Sequence, residues 1–138
     1  MILVDSSVWI DELAGRVTLQ TLAVERLIRS EQNIGIGDLI LMEVLQGTSG
    51  LTDLEAARRY FSEFTPVQIS DHRIVAAAAR TYQTLRAKGI TIRKTIDTLI
   101  ATRCILDRLP LLYSDRDFDP FVAHLGLRSA ADILSGES

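Results

Sequence analysis

Acidic residues occupy several places where their neighbours give a carboxylate little company. Asp5 follows directly on Ile2-Leu3-Val4, a short apolar run of strand-forming residues. Glu43 interrupts Leu39-Ile40-Leu41-Met42-Glu43-Val44-Leu45, which is apolar nearly all round a helix and so reads as buried. Asp97 sits among Ile96, Leu99, Ile100 and Ala101, one turn into a helix-forming stretch. Asp115 follows Leu111-Leu112-Tyr113 much as Asp5 follows its own strand, and Asp117 comes next but one. Each has an ordinary explanation alone: a helix cap, a lone ion pair, a first-turn acid favoured by the helix dipole, an acidic turn. Together they point elsewhere, because anions gathered from separate segments raise one another's pKa and destabilise the fold. A hard divalent cation relieves that repulsion. Oxygen donors without His or Cys favour Mg2+ or Mn2+ over zinc or copper. Such centres bind phosphate oxygens and activate a water for in-line attack. The hydroxyls of Ser6 and Ser7, beside Asp5, are expected to bind a phosphate or a metal-held water. Arg93 and Lys94, just ahead of the helix carrying Asp97, are expected to neutralise a phosphate.

The elements that must position these groups are short. A strand at 2–4 feeds a helix at 7–13 that closes near Gly15. Leu19, Leu22, Ala23, Arg26 and Leu27 trace a helix over 18–31. A brief strand, Ile34-Gly35-Ile36-Gly37, leads to Asp38 as the cap of a helix at 39–46 that ends at Gly47. Thr52 with Glu55 reads as a capping box that opens a helix through Phe64. After a weak strand at 66–69, Ser70 or Asp71 caps a long helix to Lys88, stopped by Gly89. A loop at 90–94 precedes a helix at 95–108, which Pro110 limits, and then a strand at 111–113. The acidic turn 114–117, a short helix after Phe118, an edge strand at 126–128 and a frayed tail at 135–138 complete the reading. Short continuous apolar strands alternating with helices predict an α/β fold whose parallel sheet is covered on both faces. Ligands of such sheets lie beyond the carboxyl ends of the strands.

Composition narrows the class. The 138 residues suit one domain, here 1–138, and with 47% hydrophobic and 24% charged residues the chain reads as globular. One cysteine, Cys104, rules out an intrachain disulfide, and with His72 and His124 it is too few for a structural zinc site. Both histidines read as structural or solvated, and Trp9 as core. The apolar start ends at Asp5 without a basic flank, too short for a signal peptide. The longest apolar run spans 74–79, against roughly 20 residues for a membrane span. A soluble, cytoplasmic protein is expected. Net charge is -3, yet 73–108 carries eight bases and only Asp97 and Asp107 as acids. That segment reads as solvated helix faces or as a surface for a polyanion backbone.

In order and spacing, Asp5-Ser6-Ser7-Val8-Trp9-Ile10, Glu43 within 39–47, Ile92-Arg93-Lys94-Thr95-Ile96-Asp97 and Ser114-Asp115-Arg116-Asp117-Phe118-Asp119 resemble a PIN-domain ribonuclease, similar to the VapC-like toxins of bacterial toxin–antitoxin pairs. The resemblance implies a three-layer α/β/α fold with a mainly parallel sheet of four to five short strands. It implies a Mg2+- or Mn2+-dependent endoribonuclease toxin that leaves a 5′-phosphate and a 3′-hydroxyl. It implies an RNA substrate, a cognate antitoxin whose C-terminal segment enters the active-site groove, and a homodimer. Carried over by position, the catalytic and metal-holding acids are Asp5, Glu43, Asp97 and Asp115. On that basis the first three hold the principal ion and Asp115 completes the cluster directly or through water. Asp117 is auxiliary, Ser7 supports the site, and either Asp115 or Asp117 is the direct ligand.

Two other readings compete. A Mg2+-binding phosphoacceptor domain wants an acidic pair beside the first strand and a lysine after a late strand. Here Ser6 and Ser7 follow Asp5, and no lysine follows Lys94. A non-catalytic RNA- or protein-binding module of the same fold is the alternative. Gly35-Ile36-Gly37 lacks the third glycine of a dinucleotide loop, because Ile40 holds that place. Aromatic residues make up only 6%, so recognition of RNA is expected to rest on shape and phosphate contacts.

Overall fold

The computed structural model describes residues 1–131, and the tail at 135–138 lies outside them. Its elements run β1 (Ile2–Val4), α1 (Ser6–Leu13), α2 (Leu19–Arg29), β2 (Ile34–Gly37), α3 (Asp38–Gln46), α4 (Leu51–Phe61), β3 (Thr65–Val67), α5 (His72–Ala87), α6 (Thr95–Asp107), β4 (Leu111–Leu112), a 3-10 turn (Arg116–Phe118) and α7 (Asp119–Leu125).

The strands form one parallel sheet in the order β3-β2-β1-β4, with Ile2 opposite Ile34, Leu3 opposite Leu111 and Gly35 opposite Thr65. Helix α1 packs on α2 and α3, α3 packs on α4, and α5 packs on α6 and α7, so that the layers form the expected α/β/α arrangement. Leu3, Val4, Leu111 and Leu112 are at most 1% exposed, as strands covered on both faces require. Trp9 is fully buried in an aromatic cluster, its ring centroid 5.0 Å from that of Phe61 and 5.3 Å from that of Phe64. Gly37 lets Ile69, in the segment after β3, pack close against the end of β2, since a Cβ there would lie 2.8 Å from the Ile69 side chain.

Local chemistry differs from the expectation at three places. Helix α4 begins one residue before Thr52, behind Gly50, and no side chain caps it. Glu55 instead accepts from Arg58 Nε at 3.0 Å, which removes one half of the anticipated capping box. Asp38 is the first residue of α3 and not its cap. Its Oδ1 accepts the N–H of Leu39 at 2.8 Å and that of Ile69 at 2.9 Å, which ties α3 to the segment after β3. The edge strand expected at 126–128 is reduced to one parallel bridge between Leu111 and Ser129. Asp71 does cap α5, accepting the Ile74 N–H at 2.8 Å.

No helix of the described residues is long and apolar enough to cross a membrane.

Candidate active site

Strand order determines where the crevice opens. The chain lays β2 and then β3 to one side of β1, and returns to lay β4 on the other side. The reversal therefore falls between β1 and β4, and a ligand crevice opens beyond their carboxyl ends. Asp5 leaves β1 there, and Ser114 and Asp115 follow β4. The Asp5 N–H donates to the Leu112 carbonyl at 2.9 Å, and the Ser114 N–H donates to Ser7 Oγ at 3.3 Å. Two segments remote in sequence are thus joined at the carboxyl edge.

Asp5 caps α1. Its Oδ2 accepts from Ser7 N at 3.1 Å and from Ser7 Oγ at 2.6 Å. The residue is 3% exposed, and its Oδ1 is buried without a hydrogen-bond partner. Burial pushes the Asp5 pKa up, and the bonds from Ser7 pull it back only in part.

Glu43 approaches on α3. The apolar sequence predicts a buried helix, but only Ile40 and Val44 are buried and Met42 is 55% exposed. A short helix on the outside of the sheet presents one stripe inward, so Glu43 sits half-buried at the rim. Its Oε1 accepts from Ser6 Oγ at 3.4 Å. Burial first, and then the charge of Asp5, raise its pKa against the pull of Ser6 and Lys94.

Asp97 lies in the first turn of α6, is 5% exposed, and leaves Oδ2 buried without a partner. Burial, then the charge of Asp5, push its carboxyl up to about 7 despite the nearby Lys94. Asp115 caps the 3-10 turn, with Oδ1 accepting the Asp117 N–H at 2.9 Å and Oδ2 accepting Lys94 Nζ at 3.0 Å. Burial acts upward on Asp115, yet the Asp117 N–H and the Lys94 ammonium hold its pKa below the usual value. Asp117 Oδ1 faces Arg93 at 3.5 Å.

Among the described residues, Asp97, Asp115 and Asp117 each bring a carboxylate oxygen within 4.8 Å of the others. Asp5 and Glu43 stand outside that trio but not outside its field. The charges of Asp5, Asp115 and Glu43 all act on Asp97, and those of Asp5 and Asp115 act on Glu43. Ser6 and Ser7 donate to Glu43 and Asp5, and Arg93 and Lys94 pair with Asp117 and Asp115. Asp97, Asp115 and Asp117 thus form the close group, Asp5 and Glu43 adjoin it through their charges, and the serines and basic residues bond to these acids. His72 and His124 are exposed and take no part.

Tyr113, just ahead of the acidic turn, is a residue that the sequence pattern does not single out. Its hydroxyl donates to Asp119 Oδ1 at 2.8 Å, bracing the acidic turn, and burial together with that bond pushes the phenol up to about 12. Its place directly before the turn is the one signal in the sequence that points to it. Elsewhere in the basic segment Arg103 pairs with Asp107 at 3.0 Å, so its charge serves α6 and not the crevice.

The donor set suits a hard cation. It consists of carboxylate oxygens, and two of them, Asp5 Oδ1 and Asp97 Oδ2, are buried without any hydrogen-bond donor. A buried acceptor in that state carries a desolvation penalty that a divalent ion removes.

The sequence pattern of the PIN domain family matches residues 2–121 of this chain. The VapC ribonuclease Mb1587 of Mycobacterium bovis and the ribonuclease VapC11 of Mycobacterium tuberculosis are each 28% identical to it over 132 residues, covering 95% of this chain and 98% of theirs. A toxin–antitoxin complex from Klebsiella pneumoniae contains a chain of the same fold, with TM-score 0.70, 21% identity and coverage of 94% and 97% of the two chains. VapBC2 from Rickettsia felis, solved bound to a DNA fragment from their promoter, superposes with TM-score 0.71 at 16% identity, covering 94% and 96%.

Proposed function

The chain belongs to the PIN domain family, and on that premise we propose that it is a VapC-like toxin: a Mg2+- or Mn2+-dependent endoribonuclease held in check by a cognate antitoxin. One observation carries the reading. Two buried carboxylate oxygens without partners, Asp5 Oδ1 and Asp97 Oδ2, belong to acids whose charges act on each other at the carboxyl edge. The names of the relatives, ribonucleases of the VapC group, support RNA as the substrate.

Asp5, Glu43, Asp97 and Asp115 would hold the ion, with Asp117 beside them. When bound, the ion supplies charge to the phosphate oxygens and activates water for in-line attack at phosphorus. The protein's own contribution is positioning. Ser7 fixes Asp5 through two hydrogen bonds to Oδ2, which leaves Oδ1 free for the cluster. Ser6 holds Glu43 at the rim. The Asp117 N–H and the short turn fix Asp115. Arg93, whose side chain is 80% exposed, meets an approaching RNA backbone. Neither histidine belongs to the cluster, so proton transfer falls to the carboxylates and to water.

The partners follow the same reading: RNA as substrate, an antitoxin whose terminal segment reaches this groove, and a second copy of the chain in a homodimer. Helices α1, α3 and α4 border a groove of about 630 Å³ lined by Ile10, Leu13, Val44, Ala56 and Tyr60, an apolar face of the kind a partner helix covers. The cytoplasm, where RNA is translated, is the expected compartment.

The direct test incubates purified protein with RNA and added Mn2+ or Mg2+, beside the Asp97→Asn variant. Cleavage by the parent, lost on chelation and in the variant, supports the reading; equal cleavage by both sinks it.

A further inference from the structure

Lys94 precedes α6, and its Nζ lies 3.0 Å from Asp115 Oδ2. Asp115 is also one of the three acids whose oxygens lie within 4.8 Å of one another. Asp115 Oδ1 accepts the Asp117 N–H and Oδ2 accepts from the Lys94 ammonium, so each of its oxygens already has a donor. The other cation nearby, Arg93, pairs with Asp117 at 3.5 Å, more exposed and more loosely held. A lysine side chain has four methylenes and a compact charge, so it can leave such a partner by rotation alone. Asp5 Oδ1 and Asp97 Oδ2 receive no hydrogen bond from it.

Resting on the metal-centre reading above, we propose that Lys94 is an internal counter-ion that competes with the divalent metal for Asp115. In the metal-free protein the ammonium partly neutralises the acids. Metal binding expels it, and the released ammonium then stands at the rim beside Arg93, on the side from which a phosphate arrives. The same residue thus weakens metal binding and becomes available to the substrate only once the metal is bound.

The test needs no RNA. Mn2+ alone is titrated into wild type, Lys94→Met, Arg93→Met, Asp115→Asn and the Lys94→Met/Asp115→Asn double variant by calorimetry, with melting temperatures recorded in chelator. Lys94→Met is expected to bind Mn2+ about fivefold more tightly, the equivalent of about 1 kcal/mol for an exposed ion pair. It is also expected to melt lower than wild type without metal. In the Asp115→Asn background, removal of Lys94 should change Mn2+ affinity less than twofold, because the shared ligand is gone. Unchanged or weaker Mn2+ binding in Lys94→Met overturns the proposal, as does equal tightening in Arg93→Met, which would mark a general field effect. If wild type itself binds no Mn2+, the metal-centre reading fails first, and that outcome is distinct from wild type and Lys94→Met binding equally.

Discussion

Ser7 Oγ lies 2.6 Å from Asp5 Oδ2 and donates to it, while its own lone pair accepts the Ser114 N–H from the other side of the crevice at 3.3 Å. One hydroxyl therefore orients the carboxylate of the first strand and fixes its distance from the turn after the last. Ser7→Ala should retain the fold but reduce metal affinity or RNA cleavage by about 10- to 100-fold, the usual effect of removing a group that orients a metal ligand. Mn2+ calorimetry beside a cleavage assay measures both. Cleavage within twofold of wild type would mean that Asp5 is held without Ser7.

The metal-free protein should lose stability as pH rises. The folded Asp97 carboxyl titrates near 7 against 3.8 in the unfolded chain, so between these values the folded state binds more protons and its melting temperature falls with increasing pH. Asp5 and Glu43, also raised by burial, act in the same sense. Asp115, held low, acts oppositely, and its contribution disappears only on strong acidification. Asp97→Asn should flatten the decline and abolish cleavage, with at least about a hundredfold loss. Calorimetric scans in chelator from pH 4 to 8 read the slope, and a variant slope equal to that of wild type would contradict the assignment.

Glu43→Gln should raise the melting temperature in chelator by a few degrees, about 3–5 °C per kcal/mol of relieved repulsion, while lowering cleavage. Ser6 still has an oxygen to donate to. A lower melting temperature would instead show that Glu43 serves as a structural acceptor whose charge is needed.

Arg93→Ala should leave stability within about 0.5 kcal/mol, because its pairing with Asp117 is long and solvent-exposed. Its effect should show in RNA binding by a catalytically dead variant, where the slope of log affinity against log salt falls by about one. An unchanged slope would remove Arg93 from the RNA-facing surface.

Cys104 is 1% exposed, and burial pushes its thiol up to about 12. A thiol reagent at pH 8 should therefore label native protein at least about a thousandfold more slowly than denatured protein. Fast labelling without denaturant would mean that α6, which carries Asp97, opens readily.

Features set by neighbours along the chain are legible in the residues themselves. The apolar run ahead of Asp5, the Asp71 cap and the Gly89 stop each act over a few positions, and the elements they bound lie near their expected places. The acids are legible for a related reason, since a carboxylate is conspicuous after a buried strand. Contacts between distant segments are not. The Ser6–Glu43 and Ser7–Ser114 bonds depend on where α1, α3 and the turn after β4 come to rest, and no local pattern encodes that. The expectation that α3 is wholly buried fails because an apolar stretch does not reveal whether a second layer covers its outer side, and Met42 lies exposed. The expectation that Thr52 and Glu55 form a cap fails because α4 already begins at Leu51, which puts Thr52 inside the helix behind Gly50.

The hydrogen bond from the Asp5 amide to the Leu112 carbonyl has a consequence for synthesis. While a ribosome is still translating residues ahead of 112, the first strand has no neighbour on that flank, and the acids of the final turn do not yet exist. The acidic cluster at the carboxyl edge therefore forms only when nearly all of the domain has emerged from the ribosome.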